Sequence, residues 1–392
     1  MIRFERRLET PRWVGPTMPV VALVVALIIV AFVLVISGQD PVATYRAMFE
    51  AGFTNPGALS ATLVNATPLV FTGLAAALAF RMRVYNIGGE GQLYVGAIGA
   101  AGVALALGGQ PGFVIILGAI VGGTVAGAIW GAIPGFLRSY LNTNEILTSL
   151  MLNYIAGLLA YYLIFDSFSS WRDVSSPTAK VFPQGKTIDP AGWWPSMDLG
   201  GVTVPLGFVI GVAVAVGMLF VLRSTRFGFQ LRVMSDSPSA GHYAGMRTKR
   251  AIVVVMVLSG ALAGFAGASQ VGDFTHLLEP RGLQQASYGY TGIVAAALGR
   301  FNPLAVILSA VFLGALTNAG FALQGATFPQ GLVGIMEGII LFCVLSAEML
   351  SRYRVRVGRR DTSSRPAQHD PSAGGRELAP GTGTVLDPIP ES

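Results

Sequence analysis

One cysteine in 392 residues, Cys343, leaves no partner for an internal disulfide, and only three histidines leave no Cys/His cluster to hold a metal. Charge is scarce too. Asp, Glu, Lys and Arg make up 12% of the chain, about half the share of a soluble domain. No phosphate loop is present: the one Gly-Lys-Thr, Gly185 to Thr187, has Lys180 where the first glycine of G-x-x-x-x-G-K-[ST] belongs. That absence is consistent with ATP hydrolysis on a separate subunit. The histidines, His242, His276 and His369, fall outside the apolar runs, so an intramembrane enzyme would lack its base or metal set.

What the chain has is apolar length. Hydrophobic residues reach 53% and the mean hydropathy is +0.61. Runs of roughly 20 apolar residues, the length that crosses a bilayer, occur at 18–37, 57–80, 87–107, 112–137, 145–165, 204–222, 251–271, 287–299, 303–324 and 330–349. The expectation is an all-α, polytopic integral membrane protein with about ten transmembrane helices, including broken or short elements. The eighth run is the short one, a half-membrane or broken element. The exit of the first run, Ser37-Gly38-Gln39, lacks a small-x-small cleavage site, which predicts an uncleaved signal anchor.

The net charge of +6 and pI near 9.6 come mostly from arginines between apolar runs, so topology explains them better than nucleic acid does. Threading ten crossings from a cytoplasmic N-terminus leaves only Arg46, Arg172, Lys180, Lys186 and Arg281 outside. The other basic residues fall inside, as the positive-inside rule requires, and both termini are then cytoplasmic in the inner membrane. This divides the chain into a cytoplasmic N-terminus at 1–17, a transmembrane domain at 18–350 with an outer loop at 166–203 and an inner segment at 224–250, and a disordered cytoplasmic tail at 351–392.

Three segments outside the spans carry pattern. Residues 41–53 space Val42, Tyr45, Met48, Phe49 and Phe53 as a helix would, suiting either an interfacial helix or one packed on the bundle. In the outer loop, Trp171, Trp193 and Trp194 are expected at the headgroups or on a docking surface. The inner segment contains Asp236-Ser237-Pro238, a cap and first turn, followed by Ser239, Ala240, Gly241, His242, Tyr243, Ala244 and Gly245. That reads as a short capped helix edged with small residues.

Polar residues inside apolar spans are the candidates for a pathway. Asn86-Ile87-Gly88-Gly89-Glu90-Gly91-Gln92 places three glycines, a carboxylate and two amides at the head of a span, where the glycines would free the backbone to leave the helix. Asn65 and Thr67 precede Pro68, and Asn153 and Tyr154 sit in the fifth span. Tyr290, Asn318 and Glu337 complete the set. Intramembrane Asn and Thr often only join helices, whereas Glu90 and Glu337 are costly at depth and point to function. Glu145 follows Asn142-Thr143-Asn144 and suits a helix start. The glycines at 118, 122, 123, 127, 131 and 135 predict close helix packing.

NIGGEGQ at 86–92, NTNEILTSLMLNYIA at 142–156, SAGHYAGMRTKRAIV at 239–253, SGALAGFAGA at 259–268 and YGYTGIVAAALGRFNPL at 288–304 together resemble the permease subunits of ABC importers. They are similar to the branched-chain amino acid and ribose superfamily, and within it to the nucleoside or simple-sugar branch. The resemblance implies alternating access, no resident cofactor, and a second permease chain, identical or related. It also implies two ATPase subunits and an extracytoplasmic substrate-binding protein, with the lipid bilayer as setting and no nucleic acid. Ser239 to Gly245 matches the position of the family's coupling helix, although Ser239-Ala240-Gly241 departs from the fuller Glu-Ala-Ala motif. The alternatives are an ABC permease for another small solute, or a secondary transporter with a broken-helix site.

Overall fold

The computed structural model describes residues 2–6, 14–167, 169–175, 177–324 and 331–357. The chain divides into two units. In the smaller, β1 (Ile2–Arg6) pairs antiparallel with a strand at Tyr353–Val357. The tail expected to be disordered from 351 thus begins as ordered structure, and residues 358–392 lie outside the described residues. Apolar residues alternate with arginine throughout Tyr353–Val357 and with arginine and glutamate over residues 2–5, the period of two that a strand requires.

The larger unit, Glu9–Arg352, is the helical body. In chain order it holds α1 (Val14–Ile36), α2 (Pro41–Phe49), α3 (Ala58–Arg81), α4 (Gly89–Ala106), α5 (Gly112–Leu141) and α6 (Glu145–Tyr161). There follow α7 (Pro177–Val181), a hairpin of β2 (Ser196–Leu199) and β3 (Val202–Pro205), then α8 (Leu206–Ser224), α9 (Arg226–Asp236) and α10 (Pro238–Tyr243). The last group is α11 (Thr248–Ser269), α12 (Pro280–Ala286), α13 (Tyr288–Leu298), α14 (Pro303–Ala322) and α15 (Leu332–Arg352), and the strand at Tyr353–Val357 is β4. Among the described residues the architecture is all-α apart from the β2–β3 hairpin, the β1–β4 strand pair and an isolated bridge. Wider π turns extend α2 to Thr54, α6 to Asp166 and α11 to Thr275.

Each of the ten apolar runs contains a helix. Among the described residues six helices are long and apolar enough to cross a bilayer, and α1 with α2, bent by 119°, makes a seventh candidate. α4, α13 and the apolar part of α15 are shorter or more polar. The eighth run is a broken element: α12 and α13 meet at Ser287, whose φ of 48° no helix accommodates.

Glycine spacing explains the tightest packing. Gly123, Gly127 and Gly131 recur every four residues on α5 and meet α11, where a Cβ on Gly131 would stand 2.6 Å from the Met256 carbonyl. Gly127 and Gly96 both press on Gly264, so α4, α5 and α11 approach backbone to backbone. Gly118 and Gly122 receive Val103 of α4 instead. α3 is the central helix, its apolar span 83% buried against α8, α11, α13 and α14.

Helix direction sorts the loops onto two ends. α8 runs about 28 Å at 1.5 Å per residue from the β2–β3 hairpin to α9, so these lie at opposite ends. At the α9 end Arg81 donates to the Phe301 carbonyl at 2.8 Å, the Ser139 hydroxyl donates to the Lys249 carbonyl, and Arg138 pairs with Glu145 at 3.2 Å. Asn144 caps α6 by accepting from Ile146 N–H. The hairpin end holds Asp189, which accepts from Gly109 N–H at 3.0 Å.

One outer-segment expectation changes. Tryptophans 171 and 194 turn inward: the Trp171 indole donates to the Ile98 carbonyl at 3.3 Å, and Trp194 is buried beside Phe265. Burying both rings recovers more apolar area than leaving them at headgroups would. The 41–54 segment is a helix packed on the bundle, since Gly52 lies against Ala315 and its carbonyl accepts from Thr62. Val42 and Phe49 remain exposed.

Candidate functional site

The chain does not enter α4 from the end of the bundle. After Arg81 it turns back inward, and by Asn86 it is buried, with the Asn86 amide donating to Ser259 Oγ at 2.8 Å. Ser259 stands about 16 Å along α11 from Thr248, at 1.5 Å per residue. Asn153 is about 12 Å into α6, and Tyr288 about 15 Å from the far end of α13. Two helix starts, those of α4 and α13, therefore meet near mid-depth.

Glu90 joins them. Its carboxylate, 2% exposed, accepts from Gly289 N–H in the first turn of α13 at 2.6 Å. The unsatisfied N–H groups and positive dipole ends of the two helices suit an anion there. The break in the chain is real, but it lies at 84–88, before the helix, and none of Gly88, Gly89 and Gly91 adopts a positive φ. Those glycines serve approach rather than unwinding. A Cβ on Gly91 would stand 2.8 Å from the Asn153 backbone, and one on Gly88 would stand 3.0 Å from Ser149.

Asn153 ties the junction to α6. It accepts from Gly91 N–H at 2.9 Å and donates to the Ile87 carbonyl and the Tyr290 hydroxyl. Beside it opens a cavity of about 510 Å³ that brings together Glu90, Asn153, Tyr154 and Tyr290 from the sequence-predicted set. Tyr94, Gly157, Tyr161, Gln284 and Ser287 also line it. Glu90 Oε1 is buried and has no hydrogen-bond partner among the described residues. The Tyr94 hydroxyl and the Tyr290 backbone N–H also stand close to the carboxylate.

The other predicted residues have structural partners. Asn86 and Gln92 exchange hydrogen bonds of 3.0 and 3.1 Å, and Asn86 also accepts from Gly88 N–H. Asn65 accepts from the Tyr288 hydroxyl at 3.0 Å, behind the cavity wall. Thr67 donates to the carbonyl four residues back, and Asn318 donates to the Ala51 and Ala58 carbonyls. Glu337 accepts from Thr291 at 2.7 Å, beside a separate space of about 110 Å³. α13 is thus held between two carboxylates.

Sequence reading missed Tyr94, Tyr161, Gln284 and Ser287. Tyr94 lies one turn beyond Glu90, and Tyr161 two turns beyond Tyr154 on the same face, so helical spacing carried a signal for both. α12 was invisible because its residues, PRGLQQA, are polar and precede the apolar run.

At the α9 end, Ser237 caps α10 through Ala240 N–H at 3.3 Å, Pro238 occupies the first turn, and Gly245 closes the helix at φ 72°. Tyr243 is 92% exposed. Met234 of α9 lies under Gly241.

The family model described as "Branched-chain amino acid transport system / permease component" matches residues 58–345, which include α3 to α14 and most of α15. The chain belongs to this permease family. Among similar proteins, a glucose ABC transporter permease of Haloferax volcanii is 31% identical over 91% of this permease and 94% of its own length. A guanosine ABC transporter permease of Bacillus subtilis is 30% identical, covering 84% and 92% of the two chains. A nucleoside ABC transporter permease of Lactococcus lactis is 28% identical, covering 83% and 89%. This permease is accordingly a membrane-embedded subunit of an ABC transport system, a transport rather than a catalytic chain, working with ATPase and substrate-binding partners. Family membership removes the secondary-transporter alternative.

Proposed function

We propose that the permease imports a nucleoside or simple sugar by alternating access, with the cavity at Glu90 as a stop on the path. The observation that carries this is the buried Glu90 carboxylate in the wall of a cavity edged by tyrosines. A carboxylate and the amides of Asn153 and Gln284 suit hydroxyls and base edges, and the rings of Tyr94, Tyr154, Tyr161 and Tyr290 suit the flat face of a base or the C–H face of a sugar. The volume of about 510 Å³ falls within the range of small-molecule sites. The names of the similar proteins, glucose, guanosine and nucleoside permeases, point to the same two cargo classes.

The cavity is open on the side of Tyr154 and Leu158, both exposed on α6. A second permease chain, the same or related, closes it there and completes the conduit. Arginines 81, 138, 223 and 226 lie near the α9 end, which supports reading that end as the cytoplasmic one. Two ATPase subunits then press on α10 of the paired permeases, and the binding protein delivers cargo at the hairpin end.

The test is uptake into proteoliposomes holding the permease, its ATPase and its binding protein, using tritiated guanosine, uridine and glucose. ATP-dependent accumulation of at least one is expected. Transport of none of them, with transport of a branched-chain amino acid or another solute class, overturns the cargo reading.

A further inference from the structure

A second cavity lies at the hairpin end, about 320 Å³ in volume and apart from the first. Its walls come from the start of α3, the loop after Asp189, β2, β3 and the π turn at Gln270–Thr275. The composition is unlike a packing defect. Trp193 stacks on His276 with ring centroids 4.1 Å apart and planes 7° from parallel, and is itself half exposed to the space. Asp273 is held by one oxygen, Oδ2, which accepts from Gly207 N–H at 3.0 Å. Ser60 accepts from Thr203 N–H at 2.9 Å and so keeps its own O–H to donate. Trp194, 6% exposed, lines the same space with its indole nitrogen packed against Gly272.

An aromatic face, a carboxylate and a hydroxyl donor around a small space make up the recognition set for a ring bearing hydroxyls. The position fits a step before the Glu90 cavity. Val64 lines the second cavity; the next residue, Asn65, holds the Tyr288 hydroxyl, and the neighbours of Tyr288, Ser287 and Tyr290, line the first. We propose that this cavity is a receiving site for the permease's own cargo, a nucleoside or simple sugar, occupied before the solute passes the Asn65–Tyr288 pair. This rests on the cargo class proposed above.

The experiment is photolabelling of the permease–ATPase complex in nanodiscs, without binding protein, by 8-azidoguanosine and by a diazirine-bearing glucose, followed by peptide mapping and paired with uptake of guanosine and glucose by the full system. Label is expected on the 193–205 or 60–64 peptides. Trp193→Ala and Asp273→Asn should each cut it roughly tenfold, the effect of losing one stacking face or one charged hydrogen bond, and Trp193→Phe should restore it. Transport of a probe whose label maps only to α4, α6 or α13 overturns the receiving site and leaves the cargo reading standing. Label on the 193–205 peptide that neither variant lowers assigns it to nonspecific contact and also overturns the site. If neither solute is transported, the cargo reading fails and takes this proposal with it.

Discussion

The carboxylate of Glu90 accepts from the backbone N–H of Gly289 at 2.6 Å, linking the first turn of α4 to the first turn of α13. The two residues are 199 positions apart, and the bond lies at mid-depth in a bundle where an uncompensated carboxylate is expensive. Two helix N-termini compensate it. The same bond engages one of the two carboxylate oxygens, Oε2.

Glu90→Gln keeps an acceptor for Gly289 but replaces the carboxylate's charge with an amide. ATP-driven uptake should fall about tenfold, the loss of one charge-assisted hydrogen bond, while the detergent-solubilised protein keeps its melting temperature. Wild-type uptake would assign the carboxylate to architecture alone.

Gly289→Ala tests the junction itself. An added methyl falls on the backbone of Glu90, so the two helix starts must separate, at a cost of about 1–3 kcal/mol. Gly89→Ala is the control, since a Cβ there meets nothing nearer than 3.8 Å. Fluorescence-detected size exclusion after a heat step should show early loss of the first variant and none of the second.

Ala240→Glu or Gly241→Glu places a carboxylate on α10, where the structure leaves Ala240 exposed and sets Met234 and Met246 beneath Gly241. Uptake should drop to background with normal membrane insertion, and substrate should no longer stimulate ATP hydrolysis. Retained stimulation would remove α10 from the coupling path.

His276 gives a pH signature. Burial holds its imidazole below the ordinary value, partly offset by the Gly272 and Val271 carbonyls, so the folded state favours the neutral ring. The contribution to stability is full above the unfolded value of about 6.5 and is lost as pH falls through the folded one. Melting curves between pH 7.5 and 5.5 should show a larger decline for the wild type than for His276→Gln; equal declines would refute the assignment.

Much of the fold was legible because apolar length reports on lipid. A helix needs a long apolar run to cross, and ten such runs mark ten helices, α1 to α15 apart from the short or polar ones. The α10 cap was legible for a related reason, since Ser237, Pro238 and Gly245 act on neighbours a few residues away. The strand at Tyr353–Val357 was not, because its partner, Ile2–Arg6, lies at the other end of the chain. The inward turn of Trp171 and Trp194 was equally hidden, since hydropathy records that a ring is apolar but not which surface receives it.

By itself the sequence determined a helical membrane protein with no motor of its own, with arginines gathered toward one end and polar groups held at depth, because each of these depends on composition or short-range spacing. Which polar groups share a cavity was decided only in three dimensions. Asn86 and Asn153 look alike in the chain, yet one closes a network with Gln92 and Ser259 and the other reaches Tyr290 at the cavity edge. The difference comes from where the chain turns inward after Arg81 and where α12 breaks at Ser287, bends set by contacts between helices far apart in sequence.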